Sequence, residues 1–118
     1  MKKLLLLLLF TIPFLGFGQS INIKWEDRDG REFSVNNQTG NFRYSMVSGD
    51  DIKYITNSYY GPVGSVQKVG DVNIKYITNS YYGPVGSVQK VGGLKIEYIT
   101  NSYYGPVGSV KSTSGSVN

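Results

Sequence analysis

Three tyrosine pairs recur along this chain: Tyr59-Tyr60, Tyr81-Tyr82 and Tyr103-Tyr104, each after Asn-Ser and before Gly-Pro. A phenol ring is a flat apolar platform with a hydrogen-bonding tip. Asparagine and serine beside it supply donors and acceptors that match sugar hydroxyls. These six tyrosines are therefore the candidate ligand-binding residues, with a polysaccharide as the expected ligand class. The competing use is structural. Rings packed across strands contribute about 0.2–1 kcal/mol per favourable pair, and the abundance of tyrosine in strands favours that use. Regular stacking would arrange the pairs as two aromatic rows, one on each face of a sheet.

The carboxylates offer less. Glu26, Asp27, Asp29 and Glu32 lie close in sequence, with Asp50 and Asp51 apart. Asp27-Arg28-Asp29-Gly30 resembles half of a calcium loop, without the third ligand spacing or the bidentate glutamate. Asp27 and Asp29 are thus weak metal candidates, and a hairpin turn with solvated charges is the expected reading. A glycosidase pair needs two carboxylates facing one walled cleft, and nothing singles out such a pair. Asn37-Gln38-Thr39 matches a glycosylation sequon. The chain has neither cysteine nor histidine, which excludes disulfides, histidine acid–base catalysis, serine–histidine triads and the usual zinc sites. No catalysis and no cofactor are expected.

The start of the chain points to export. Met1-Lys2-Lys3 is basic, Leu4 to Phe10 is unbroken apolar sequence, and Gly16-Phe17-Gly18 presents small residues. That is the order of a secretory signal over residues 1–18. Leu4 to Phe17 is 14 residues long and carries Pro13, whereas a spanning helix needs roughly 20. The expected location is extracytoplasmic: periplasm, cell surface or beyond. Of twelve basic residues, Lys2 and Lys3 belong to the signal, leaving ten against eight acidic ones, a net of +2. Without a basic run in the sequence, neither nucleic acid nor a membrane is an expected partner after signal removal.

The elements that must position the tyrosines come from a repeat. Ile52 to Gly70 reads IKYITNSYYGPVGSVQKVG, and Ile74 to Gly92 is identical. A third copy starts at Ile96, with Glu97 in place of lysine, giving a period of 22 residues. Such identity at exposed and buried positions alike indicates recent duplication, so it does not single out important residues. Tandem units of this kind suit an additive, one-dimensional architecture.

Each unit reads as two strands. Val72-Asn73-Ile74-Lys75-Tyr76 alternates apolar and polar. Gly70-Asp71 before it suits a type II′ hairpin turn, and Gly92-Gly93 holds the same place in the next unit. Gly83-Pro84-Val85-Gly86 suits a type I turn with proline second and glycine fourth. Ser87 to Val91 is the other strand. Its valines, Val88 and Val91, are three apart, which predicts a β-bulge at Gln89-Lys90 and at Gln67-Lys68.

Residues 19–51 read as a divergent version of the same design, a terminal cap with strands at Ile21–Trp25, Arg31–Val35 and Phe42–Val47 and a turn at Asp29-Gly30. Residues 52–110 are the three tandem units. Residues 111–118 are serine- and glycine-rich and expected to be disordered. The predicted fold is all-β, an antiparallel meander of 22-residue hairpin units with eight or nine strands; a β-solenoid is the alternative.

Ser58-Tyr59-Tyr60-Gly61-Pro62-Val63-Gly64-Ser65-Val66 is similar in layout to the YD repeats of Rhs-type bacterial shells, although the tyrosine–aspartate and glycine–arginine pairs of those repeats are absent. The period is similar to that of curlin-like repeats, without their glutamine and asparagine ladder. The leader, ending Phe17-Gly18-Gln19-Ser20, resembles those of small exported Bacteroidetes-type proteins. The resemblance implies an extracytoplasmic β-repeat protein and assigns no functional residue. The expected role is structural or adhesive, toward a polysaccharide or another surface protein. A glycan-binding module and a strand protein that self-associates through its edges are the alternatives.

Overall fold

The computed structural model describes residues 20–118. The expected export signal, residues 1–18, lies outside the described residues. The described residues fold as an all-β antiparallel meander of nine strands in two sheets. Strands β1 (Asn22–Glu26), β2 (Glu32–Asn36) and β3 (Phe42–Tyr44) form the first sheet. Strands β4 (Ile52–Tyr54), β5 (Val66–Val69), β6 (Val72–Tyr76), β7 (Val88–Val91), β8 (Leu94–Tyr98) and β9 (Val110–Ser114) form the second, in sequence order. Every pairing is antiparallel, which excludes the solenoid.

The period-two pattern decides which face is dry. Val72, Ile74 and Tyr76 of β6, and Leu94, Ile96 and Tyr98 of β8, are buried, while Asn73, Lys75, Lys95 and Glu97 between them are exposed. Val88 pairs with Tyr76 and Lys90 with Lys75, so Gln89 is the extra residue of a bulge. Gln67 and Lys111 occupy the same place in the neighbouring units. The bulge restores Val88 and Val91 to one face, and both are fully buried, as the valine spacing predicts.

The first sheet packs on the dry face of the second. Phe33 and Val35 of β2 enter one cluster with Val69, Val91, Leu94 and Ile96, and the molecule is a slab of 39 × 38 × 20 Å. Residues 20–51, the region read from sequence as a divergent unit or cap, make a separate, shorter sheet across the second, and Ser45 to Asp51 carries the chain from one layer to the other. That passage is fixed by Gly49 at φ +87° and by the Asp50 carboxylate, which accepts from the Val47 N–H at 2.9 Å.

The two turn classes answer differently to the sequence. Val69 pairs with Val72 around Gly70-Asp71, and only Gly70 has positive φ, +58°, the sign pattern of a II′ turn. The Gly-Pro turn starts one residue later than its sequence suggests. Ser87 N–H donates to the Pro84 carbonyl at 3.1 Å, so Pro84 stands first and Gly86, at φ +99°, third, as in a type II turn. The shift arises because the Gly86 N–H, the donor a turn starting at Gly83 would need, is already committed to the Ile77 carbonyl at 2.9 Å.

Residues 111–118, expected to be disordered, are also tied down. They supply most of β9, the Val117 carbonyl accepts from Gly93 N–H at 3.2 Å, and the Val117 side chain is buried. Asn118 Oδ1 accepts from the Arg28 N–H at 2.7 Å. Composition misses this because the anchoring partners lie far away in sequence. Among the described residues no helix is long and apolar enough to cross a membrane.

Candidate functional site: the tyrosine loops and the outer face

In the second unit the chain leaves β6 through Ile77, whose N–H and C=O bond to the Ser87 carbonyl at 2.8 Å and the Gly86 N–H at 2.9 Å. Ile77 itself is buried, so the loop is clamped at its base. Above the clamp Asn79 is extended and its Oδ1 accepts from the Tyr81 N–H at 2.9 Å. This side-chain cap turns the backbone into one 3₁₀ turn, Ser80–Tyr82. Ser58–Tyr60 under Asn57 and Ser102–Tyr104 under Asn101 repeat the arrangement.

The paired tyrosines therefore sit on loops, not as rows on the two faces of the sheet. The Asn cap takes the N–H that a ladder would need. Within each pair the rings meet edge to face, with centroids 5.1, 5.2 and 5.3 Å apart. Tyr81 is 78% exposed and Tyr82 55%, and the other two pairs are similarly open. Because the strands alternate in direction, all three loops emerge at the same end of the sheet. Successive loops are two strands apart, about 9–10 Å from the usual strand spacing. They also nest: a Cβ on Gly86 would lie 3.5 Å from the Pro62 ring, and one on Gly108 would lie 3.5 Å from Pro84.

The solvent face of the sheet carries a second constellation, which the sequence reading missed. Lys75 of β6 is directly opposite Lys90 of β7, and Lys90 opposite Lys95 of β8. Lys53 is opposite Lys68 on β4 and β5. Like charges placed directly opposite are unfavourable by a few tenths of a kcal/mol or more, up to about 1 kcal/mol. None of these five lysines makes an ion pair among the described residues. In linear sequence they lie scattered. The signal was the alternation: each occupies the polar slot of a strand whose apolar slots are the core.

The lysine face reaches the tyrosine end. Lys111, on the third bulge, places Nζ 5.3 Å from the centre of the Tyr104 ring, a cation–π contact. In the second unit Tyr82, Asn79 and Gln89 share a groove of about 370 Å³ with Lys75, Lys90 and Lys95. Tyr59 and Tyr60 border a neighbouring hollow of about 650 Å³, which Lys75 also lines.

Asp27 and Asp29 come together with Asp71, with ligand atoms within 4.8 Å of one another. A cation already stands among them: Arg31 Nη1 donates to Asp27 at 2.8 Å, Asp29 at 3.2 Å and Asp71 at 3.1 Å. Arg31 Nε and Nη2 donate to the two oxygens of Asp50 at 2.8 and 2.7 Å. Asp27 Oδ1 also accepts from the Asp29 and Arg31 N–H groups. This network joins β1–β2, the inter-sheet passage and the β5–β6 turn. Its hydrogen bonds raise the Arg31 pKa and bring Asp50 down to about 2. Burial pushes the Asp27 carboxyl up, but the Arg31 bonds outweigh it and hold the carboxyl below its ordinary value.

Comparison with protein-family models, with curated proteins and with solved structures gives no match.

Proposed function

We propose that this chain is an exported, non-catalytic β-repeat protein with an adhesive role outside the cell, and that its contact surface is the tyrosine-bearing end. One observation carries this reading: three equivalent loops hold six tyrosines in open solvent while leaving them in one fixed geometry. Rings that served packing would be covered. These are exposed by 55–86%, and each turn is rigidified by an asparagine cap. Preorganised aromatic groups lose little entropy on contact, which is why tyrosine recurs at recognition surfaces. Polysaccharide is the ligand class that fits: stacked sugar faces on the rings, hydroxyls on Asn, Ser and Thr.

Affinity electrophoresis through a panel of neutral and charged polysaccharides tests the reading. Retardation in at least one gel, abolished by Tyr81→Ala with Tyr82→Ala, is the expected result. Unimpeded migration through the whole panel rejects it.

A second reading is favoured by β9. Among the described residues β9 pairs with β8 alone; its Val110 N–H is taken by the Asn37 carbonyl at 2.8 Å, but Lys111 to Ser114 are exposed at the edge of the sheet. Edge pairing of two copies would build a continuous sheet. Light scattering over a wide concentration range decides it, and an unchanging monomer mass rules it out.

A further inference from the structure

We infer that the groove between Lys75, Lys90, Lys95 and Tyr82 is a subsite for an acidic polysaccharide, one that carries carboxylates or sulfates along its chain. The inference rests on the polysaccharide reading and specifies the charge of the ligand.

Three observations converge. First, Lys75, Lys90 and Lys95 stand on three adjacent strands in one cross-strand row. Their Cα positions therefore form a short row with a step of about 4.8 Å, and each strand adds one positive charge to it. Among the described residues none of the three makes an ion pair; Glu97, the one strand-borne acidic side chain on that face, makes none with them, and three positive charges outnumber it. A sheet gains nothing in stability from this arrangement, since opposed lysines repel. An anionic polymer laid across the strands would convert each repulsion into attraction.

Second, the row ends at Tyr82, Asn79 and Gln89 in the same groove, whose volume of about 370 Å³ suits a small section of polymer. Ring, amide and ammonium together match a sugar bearing an acid group: a face to stack, hydroxyls to bond, a charge to pair. Third, lysines border the other two tyrosine loops as well, although the full row belongs to the second unit: Asn73 stands in its third place in the first unit, and Glu97 and Ser112 stand opposite each other in the third. Lys111 already touches the Tyr104 ring in the third unit, and Lys75 reaches the Tyr59-Tyr60 hollow of the first. A lysine thus stands beside each tyrosine loop, with the densest positive charge at the second. Expected export places such a track among polysaccharides rather than nucleic acids.

The test is affinity electrophoresis of the purified protein in gels containing polygalacturonate, neutral dextran, or a thymidine oligonucleotide, at low and high salt. Stronger retardation by polygalacturonate than by dextran is expected, fading as salt rises. Lys75→Gln, Lys90→Gln and Lys95→Gln together should weaken it roughly a hundredfold, about fivefold per lysine near an anionic surface. All three side chains are exposed, and their removal relieves repulsion, so the melting temperature of the variant should not fall. Equal retardation in dextran and polygalacturonate, or retention unchanged in the lysine variant, overturns this inference while leaving the tyrosine reading standing. Binding of the oligonucleotide as tight as that of polygalacturonate also overturns it. Free migration in every gel rejects both.

Discussion

The Tyr98 hydroxyl donates to the Val88 carbonyl at 2.6 Å, while the Tyr98 backbone pairs with Val110 on the opposite side. One residue thus links three strands and two successive units. Tyr76 does the same, donating to Val66 at 2.7 Å. Burial pushes both phenols up to about 12.

Because the folded phenol is harder to ionise than the unfolded one, its contribution to stability is complete below pH 10. It declines as the pH rises from about 10 to 12. Tyr98→Phe should cost about 1–3 kcal/mol at neutral pH, since it leaves a buried carbonyl without its partner. It should also flatten the alkaline decline. Chemical denaturation from pH 7 to 12 measures both.

Acid should dismantle the Arg31 network. Asp50 titrates at about 2 in the folded protein against an ordinary value of 3.8. Its stabilising contribution is complete above about pH 4 and disappears as the pH falls through 2. Asp27, also held low, contributes with the same sign. Melting temperatures recorded by circular dichroism should drop over that window. In Arg31→Met, where the carboxylates lose their counter-charge, the neutral-pH melting temperature should fall sharply and acid should partly restore it.

Asn79→Ala removes the cap that shapes one tyrosine turn. A lost cap costs about 1 kcal/mol, but the larger effect should be on recognition, because Tyr81 and Tyr82 lose their fixed approach. Weaker polysaccharide retardation, with a melting temperature lowered by only about 4–8 °C, is the expected pattern.

Two valines of one unit should behave oppositely. Val91 is fully buried, whereas Val85 at the loop tip is 63% exposed. Val91→Ala should destabilise by about 2 kcal/mol. Val85→Ala should stay within about 0.5 kcal/mol. Urea titrations of the two variants check the contrast.

Legibility followed the range of the interaction. Strand alternation, the Gly70-Asp71 turn and the bulge at Gln89 could be read from a few neighbouring residues, because steric and periodic rules act locally. The tyrosine loops were misplaced for a local reason also: Asn79 competes for a backbone N–H, and the strand pattern conceals that competition. What required coordinates was long-range. Arg31 finds Asp71 forty residues away, Val117 settles against Gly93, and Lys75, Lys90 and Lys95 become neighbours only after the strands have paired.

The nesting of Pro62 against Gly86 and of Pro84 against Gly108 has a wider consequence. Each loop is shaped to receive the loop before it and to seat the one after. Inserting a further copy of 22 residues would create no new kind of interface, only one more of the same. If the proposed polysaccharide contact holds, its valence can be lengthened in fixed steps, like notches on a measuring rod, without redesigning the protein that bears them.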